Sequence, residues 1–288
     1  MRDHVVLLKP RVMSLVVFTG AVGFLVAPTS VDWMRLAIAL AAMVGGAGGC
    51  GALNMWWDAD IDARMARTAA RPIPRGVITP GEALLIGAAL SLISVLSLGL
   101  LVNWLSAALL AATIGIYVLV YTMWLKRRTP LNIVIGGASG ALPPMIGWAA
   151  ATNSLSAESI ALFAVIFVWT PPHFWSLALR GCADYARAGV PMLPNVVGPE
   201  ATCRQIIAYC ALLVPISFAP FLIAGSSLVY AAVVAVLDAM LISRAVTLYR
   251  LRKGPEAARS KSAMALFGFS ILYVFVLFVA MLAQAFTG

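Results

Sequence analysis

The chain has 288 residues, of which 62% are hydrophobic and 11% charged, and its 20 Lys and Arg against 11 Asp and Glu give a net charge of +9. A water-soluble domain carries about 25% charged residues, so this composition excludes one and indicates an integral membrane protein. The basic residues punctuate apolar segments and form no basic domain, so the charge points to anionic lipid or substrate and gives no ground for nucleic-acid binding.

In lipid the backbone must satisfy its own hydrogen bonds, so apolar runs of about 20 residues read as spanning helices. Nine such runs are present, at about 12–28, 33–57, 82–101, 104–124, 131–150, 157–179, 206–224, 228–247 and 263–286. A β-barrel requires alternating segments of roughly ten residues, and the sequence contains none. The expected fold is therefore an all-α membrane protein with nine transmembrane helices in one bundle, a single domain over 1–288. The first run ends in VAPTSVDW without a clear small-x-small cleavage site, and nothing amphipathic and Arg/Ser-rich precedes it. That favours a multi-pass protein of the bacterial inner membrane without a cleavable signal. With the N-terminus cytoplasmic, Arg35 is the one basic residue of the 20 left on the opposite side, a strong positive-inside signal.

The second run ends in NMWWDADIDARMARTAARPIPRG, residues 54–76, which crowds three aspartates and four arginines into an apolar chain. Asn54, Asp58 and Asp62 recur every four residues, a spacing that stacks them on one helix face. Asp60 points off that face, with Arg64 four residues on as its expected ion-pair partner. Carboxylate and amide oxygens are hard ligands for Mg²⁺, which completes its octahedron with water and substrate phosphate. Arg64, Arg67, Arg71 and Arg75 offer forked hydrogen bonds to the same phosphates. One reading is a diphosphate site; the other is a charged loop that only enforces topology.

Further polar stretches fall on the same expected side. YTMWLKRRTPLN (121–132) carries Lys126, Arg127, Arg128 and Asn132, and PPHFWSLALRGCADYARAGVPMLP (171–194) carries His173, Arg180, Asp184, Tyr185 and Arg187. His173 has two readings, a hydrogen bond to a neighbouring helix or a contact to a haem. Asp238 lies inside the eighth run, where an acid either bonds inward to a neighbouring helix or lines a proton or cation path. GGAGGCGAL (45–53) and GGASGAL (136–142) read as close-packing helix surfaces, and Pro143–Pro144 and Pro171–Pro172 as kinks or breaks. Cys50, Cys182, Cys203 and Cys210 lack CxxC spacing and read as packing residues.

The 54–76 segment resembles the first aspartate-rich motif, N-x-x-x-D-x-x-x-D, of the UbiA-type intramembrane prenyltransferases. LLKPRV (7–12), RTAARPIPRG (67–76), YTMWLKRRTPLNIVIGGASGALPPMIGW (121–148), PPHFW (171–175) and DYARAGVPMLP (184–194) resemble the haem-farnesylating members of that superfamily. The likeness runs from about residue 7 to 210. It implies a nine-helix bundle around a central cavity and a Mg²⁺-dependent transfer of farnesyl from farnesyl diphosphate to a vinyl group of haem B, with water, giving haem O. A haem A synthase or an oxidase-assembly protein is the partner such a pathway implies.

Carried over residue by residue, Asn54, Asp58 and Asp62 hold the metal and diphosphate, Arg67, Arg71, Lys126, Arg127 and Arg64 bind diphosphate, Asp184 joins the catalytic set, and His173 and Tyr185 are haem contacts. Quinone-type relatives have D-x-x-x-D at the second cluster, whereas Asp184 is followed by Ala188, so a second Mg²⁺ held there by two carboxylates is not expected, and one Mg²⁺ in all is. The runners-up are prenyl transfer to a quinone or aromatic acceptor and, less favoured, a secondary transporter. A transporter puts its charges near the bilayer midplane, whereas here they gather at one face.

Overall fold

The structure, a computed structural model, describes residues 2–225 and 227–287; Met1, Ser226 and Gly288 of the expected 1–288 domain lie outside the described residues. Every regular element among the described residues is helical, and none is a strand. In chain order the helices are α1 (Arg2–Leu7), α2 (Pro10–Leu25), α3 (Trp33–Trp57), α4 (Ala59–Arg64), α5 (Pro80–Leu101), α6 (Trp104–Gly115), α7 (Asn132–Ala141), α8 (Pro143–Thr152), α9 (Ala157–Arg180), α10 (Cys182–Arg187), α11 (Leu193–Ser217), α12 (Ala219–Ala224), α13 (Leu228–Arg250) and α14 (Glu256–Thr287). Between α6 and α7 the chain continues as a π-helix over Ile116–Trp124 and a short 3₁₀ turn over Leu125–Arg127.

Eight helical segments among the described residues are long and apolar enough to cross a membrane, and a ninth, Met13–Leu25, is apolar but shorter. The expected nine runs thus appear as eight full spans and one short helix, and the chain is a multi-pass membrane protein. Large apolar side chains stand outward on these helices, Leu85, Leu100, Leu222 and Leu228 among them, as a lipid-facing surface requires.

The prolines act differently from one another. Pro143 and Pro144 begin α8 after the break at Leu142, because proline suits the first helical positions, where the missing N–H is unpaired anyway. Pro171 and Pro172, expected to kink or break the sixth run, do not break it and lie inside α9. Tertiary packing outweighs the lost backbone bonds there: Trp169 and Trp175 on either side are 4% and 1% exposed.

The glycine-rich strings pack as expected. In the first string a methyl group on Gly49 of α3 would lie 2.8 Å from the Gly87 carbonyl oxygen of α5, and outside both strings one on Gly147 of α8 would lie 2.0 Å from the Gly20 carbonyl oxygen of α2. Backbones that approach this closely leave no room for a Cβ. The four cysteines are free.

Candidate active site

α3 begins at Asp32, whose carboxylate accepts hydrogen bonds from the Met34 and Arg35 amides at 3.0 Å each, the usual N-cap arrangement. At its other end Asp58 leaves the helix with φ −91° and ψ 10°, close enough to helical that the register continues. The Asp58 amide donates to the Asn54 carbonyl at 3.0 Å and the Asp62 amide to the Asp58 carbonyl at 2.8 Å. Asn54, Asp58 and Asp62 therefore share one face, and all three are buried, Asp58 completely.

Cations close over that face from three directions. Met65 is extended and ends α4; the Thr68 hydroxyl then donates to the Asp62 carbonyl at 2.9 Å. This folds the following turns back so that Arg71 reaches Asp62 at 2.6 Å. Lys9, between α1 and α2, adopts the left-handed conformation (φ 55°), uncommon for a non-glycine residue. It donates from Nζ to Asn54 Oδ1 at 2.5 Å. The π-helix, a geometry that recurs at functional sites, brings Thr122 to the same place, and the 3₁₀ turn that follows brings Lys126. Asn54 Nδ2 donates to Thr122 Oγ1 at 3.1 Å and to Asp58 Oδ2 at 2.8 Å, and Lys126 Nζ donates to Asp58 Oδ2.

Burial, with the repulsion of Arg71 and Lys126 added, lowers the Lys9 ammonium from its ordinary 10.5 to about 7. An anion entering the cluster would favour its charged form again.

The chemistry of the cluster fits a divalent cation. Asp58 Oδ1 is buried without a hydrogen-bond partner, and the Arg127 guanidinium stands 3.8 Å from it. Buried carboxylate oxygens are nearly always satisfied, so this one is a ready metal ligand. No group of three or more His, Cys, Asp or Glu is assembled for a metal among the described residues. A hard cation held by two carboxylates therefore needs oxygens from outside the protein.

Not every expected residue joins. Asp60 is exposed and pairs with Arg127, in a two-pronged contact at 2.9 and 2.7 Å, and not with Arg64. The sequence spacing i,i+4 is outcompeted because the 3₁₀ turn sets the Arg127 guanidinium, which also donates to the Trp57 carbonyl at 3.1 Å, directly across from Asp60. Arg64 and Arg67 are exposed and form no ion pair among the described residues. Asp184 pairs with Arg187 on its own short helix and makes no bond to the Asn54 face. Tyr185 packs against the cluster of Ile61, Met65 and Ile133. His173 is buried between the rings of Trp169 and Phe267, at 4.3 and 4.5 Å, with Nδ1 2.7 Å from Ser270 Oγ.

The sequence profile of the UbiA prenyltransferase family matches residues 15–271. The chain belongs to this family. Among its curated relatives, the protoheme IX farnesyltransferase of Azorhizobium caulinodans is 56% identical over 284 residues, 99% of this chain and 92% of that one. That of Parvibaculum lavamentivorans is 54% identical over 100% of this chain and 90% of its own. The fold is also that of a digeranylgeranylglyceryl phosphate synthase (TM-score 0.81, 18% identity, 99% and 98% of the two chains). An Archaeoglobus fulgidus UbiA homologue solved with GPP and Mg²⁺ matches it too (TM-score 0.71, 18% identity, 96% and 99%).

As a UbiA prenyltransferase, the chain holds residues near its motif that sequence spacing alone did not reveal. Lys9 was legible only as part of the LLKPRV string, because its approach to Asn54 depends on a left-handed turn. Thr122 carried no signal, since a threonine in an apolar run is ordinary and only the π-helix turns it inward.

Proposed function

We propose that the protein transfers farnesyl from farnesyl diphosphate to haem B, with water, giving haem O and diphosphate. The acceptor rests on relatives of 54–56% identity over nearly the whole chain that bear the name protoheme IX farnesyltransferase. The chemistry rests on the buried Asn54–Asp58–Asp62 face with its unpartnered Asp58 oxygen and surrounding cations.

In this reading Asp58 and Asp62, with Asn54, hold one Mg²⁺, which when bound neutralises the leaving diphosphate. Lys9, Arg71 and Lys126 turn from the carboxylates to the diphosphate oxygens, supplying charge-assisted hydrogen bonds as the farnesyl C–O bond breaks. Arg127, and Arg64 and Arg67 from the exposed turn, extend that basic surface toward incoming diphosphate. The allylic cation bonds to a haem vinyl carbon; water adds to the cation left on the neighbouring carbon and loses a proton. An apolar cavity within the bundle keeps stray water from the allylic cation. Asp184 completes the site from α10, and Tyr185 and His173 contact the haem. The proposal places nine spans and a single domain in the bacterial inner membrane, with the N-terminus and the site on the cytoplasmic side.

Purified protein with Mg²⁺, farnesyl diphosphate and either haem B or 4-hydroxybenzoate, followed by mass spectrometry, tests the assignment. A hydroxyethylfarnesyl haem is the expected product. Prenylation of the aromatic acid alone overturns the acceptor, and dissipation of a solute gradient with neither product overturns the enzyme reading.

A further inference from the structure

Between α13 and α14 lies a groove of about 790 Å³, away from the Asn54 face. Two of its lining residues are cations, Arg244 and Lys261, and three carry hydroxyls, Ser243, Thr247 and Ser262; no acidic side chain lines it. Arg244 sits six residues before the end of α13, roughly 9 Å inside the helix at 1.5 Å per residue. There its guanidinium lies 4.8 Å from the centre of the Phe269 ring. Neither cation forms an ion pair among the described residues. Asp238, the nearest acid along α13, is turned into the bundle and takes hydrogen bonds from Ser217 and Tyr273. Glu200, at the same end of the molecule, is shared among Arg204, Arg252 and Lys253. A cation this far inside an apolar helix is costly and calls for a partner.

The surroundings specify what that partner is. On α13, Met240 and Val236 precede Arg244 by one and two four-residue steps and stand 42% and 60% exposed. On α14, Leu272 stands 51% exposed three turns beyond Lys261. The groove thus runs from two cations and a row of hydroxyls directly onto the outward apolar surface. We propose that it binds an anionic phospholipid. The phosphate lies between Arg244 and Lys261 with hydroxyl hydrogen bonds, and an acyl chain lies along Met240 and Val236. Basic pockets between membrane helices recognise such headgroups by charge and hydrogen bonding together. This site is independent of the farnesyl-transfer reading, since it shares no residue with the Asn54 face.

The test is native mass spectrometry of the full chain from nanodiscs of phosphatidylcholine containing phosphatidylglycerol. The wild type is expected to retain phosphatidylglycerol over phosphatidylcholine. The double variant Arg244→Gln/Lys261→Gln loses that retention at least tenfold, and Arg244→Lys/Lys261→Arg keeps it. Arg204→Gln, whose cation is already paired with Glu200, behaves as wild type and excludes a general charge effect. The unfolding midpoint of the wild type rises with phosphatidylglycerol content, a readout that stands even if the Gln variant does not fold. No lipid preference in the wild type, or equal retention in a folded Gln variant, overturns the proposal. Displacement of the lipid by inorganic diphosphate or by haem overturns it as well, because the groove would then be a substrate site.

Discussion

Asp58 and Asp62 are equally acidic in sequence terms to Asp60, yet their surroundings differ sharply: two are buried among Lys9, Arg71 and Lys126, and one is exposed against Arg127. The four-residue spacing separated them in advance, because three residues that recur on one helix face leave the fourth on another. Asp58→Ala and Asp62→Ala are each expected to lower kcat/KM for farnesyl diphosphate at least about a hundredfold, the scale of losing a preorganised charge contact in a reaction site. The protein should remain monodisperse in detergent; near-normal turnover in both variants would refute the metal-ligand assignment. Asp60→Ala removes only an exposed ion pair, worth up to about 1 kcal/mol, and should change the same constant by no more than about fivefold. Lys9→Met is expected to raise KM for farnesyl diphosphate roughly tenfold or more, the loss of one hydrogen bond to a charged group, measured by initial rates at saturating haem. The partner of Asp60 was misjudged from spacing because an i,i+4 pair on an exposed helix is weak and yields to a two-pronged contact from another segment.

Helices meet in this molecule in two ways, by bare backbone and by buried polar pairs. Gly147 of α8 lies against the Gly20 carbonyl of α2, where a methyl group would come within 2.0 Å. Gly147→Ala therefore forces the helices apart and is expected to cut the yield of folded protein severely, read by size-exclusion profile after membrane extraction. Asp238 shows the other mode: Ser217 and Tyr273 donate to its two carboxylate oxygens at 2.8 and 2.7 Å, and Tyr230 donates to the Ser217 carbonyl at 3.1 Å. This network favours the inward hydrogen bond over a proton path. Asp238→Ala leaves buried hydroxyls unpaired and should destabilise by about 1–3 kcal/mol, lowering the unfolding midpoint while turnover at low temperature is retained. A proton path would show the reverse, lost turnover in a stable protein. The expected packing role of the glycine strings was readable because small residues in apolar runs have few other uses. The continuity of α9 through Pro171–Pro172 was not, since local propensity is outweighed there by the packing of Trp169 and Trp175.

Topology ties these elements to the membrane. The proposed nine spans and cytoplasmic N-terminus would put the turn before α3 and helix α10 on opposite sides. In a cysteine-free background, Ser30→Cys is expected to react with an impermeant maleimide on intact spheroplasts, and Ala186→Cys only after permeabilisation. The opposite pattern, or labelling of both from outside, refutes the orientation. Fold class, the apolar runs and the polar face were all legible in the chain, because lipid imposes a length and a composition on every span and a diphosphate site demands acids and bases in an otherwise apolar sequence. The closure of the site was not. It depends on the left-handed turn at Lys9, the π-helix and following 3₁₀ turn that carry Thr122 and Lys126 inward, and the fold-back that carries Arg71 to Asp62. Each of these brings together groups that do not share a helix, and periodicity, which reports only which face of its own helix a residue occupies, carries no information about them.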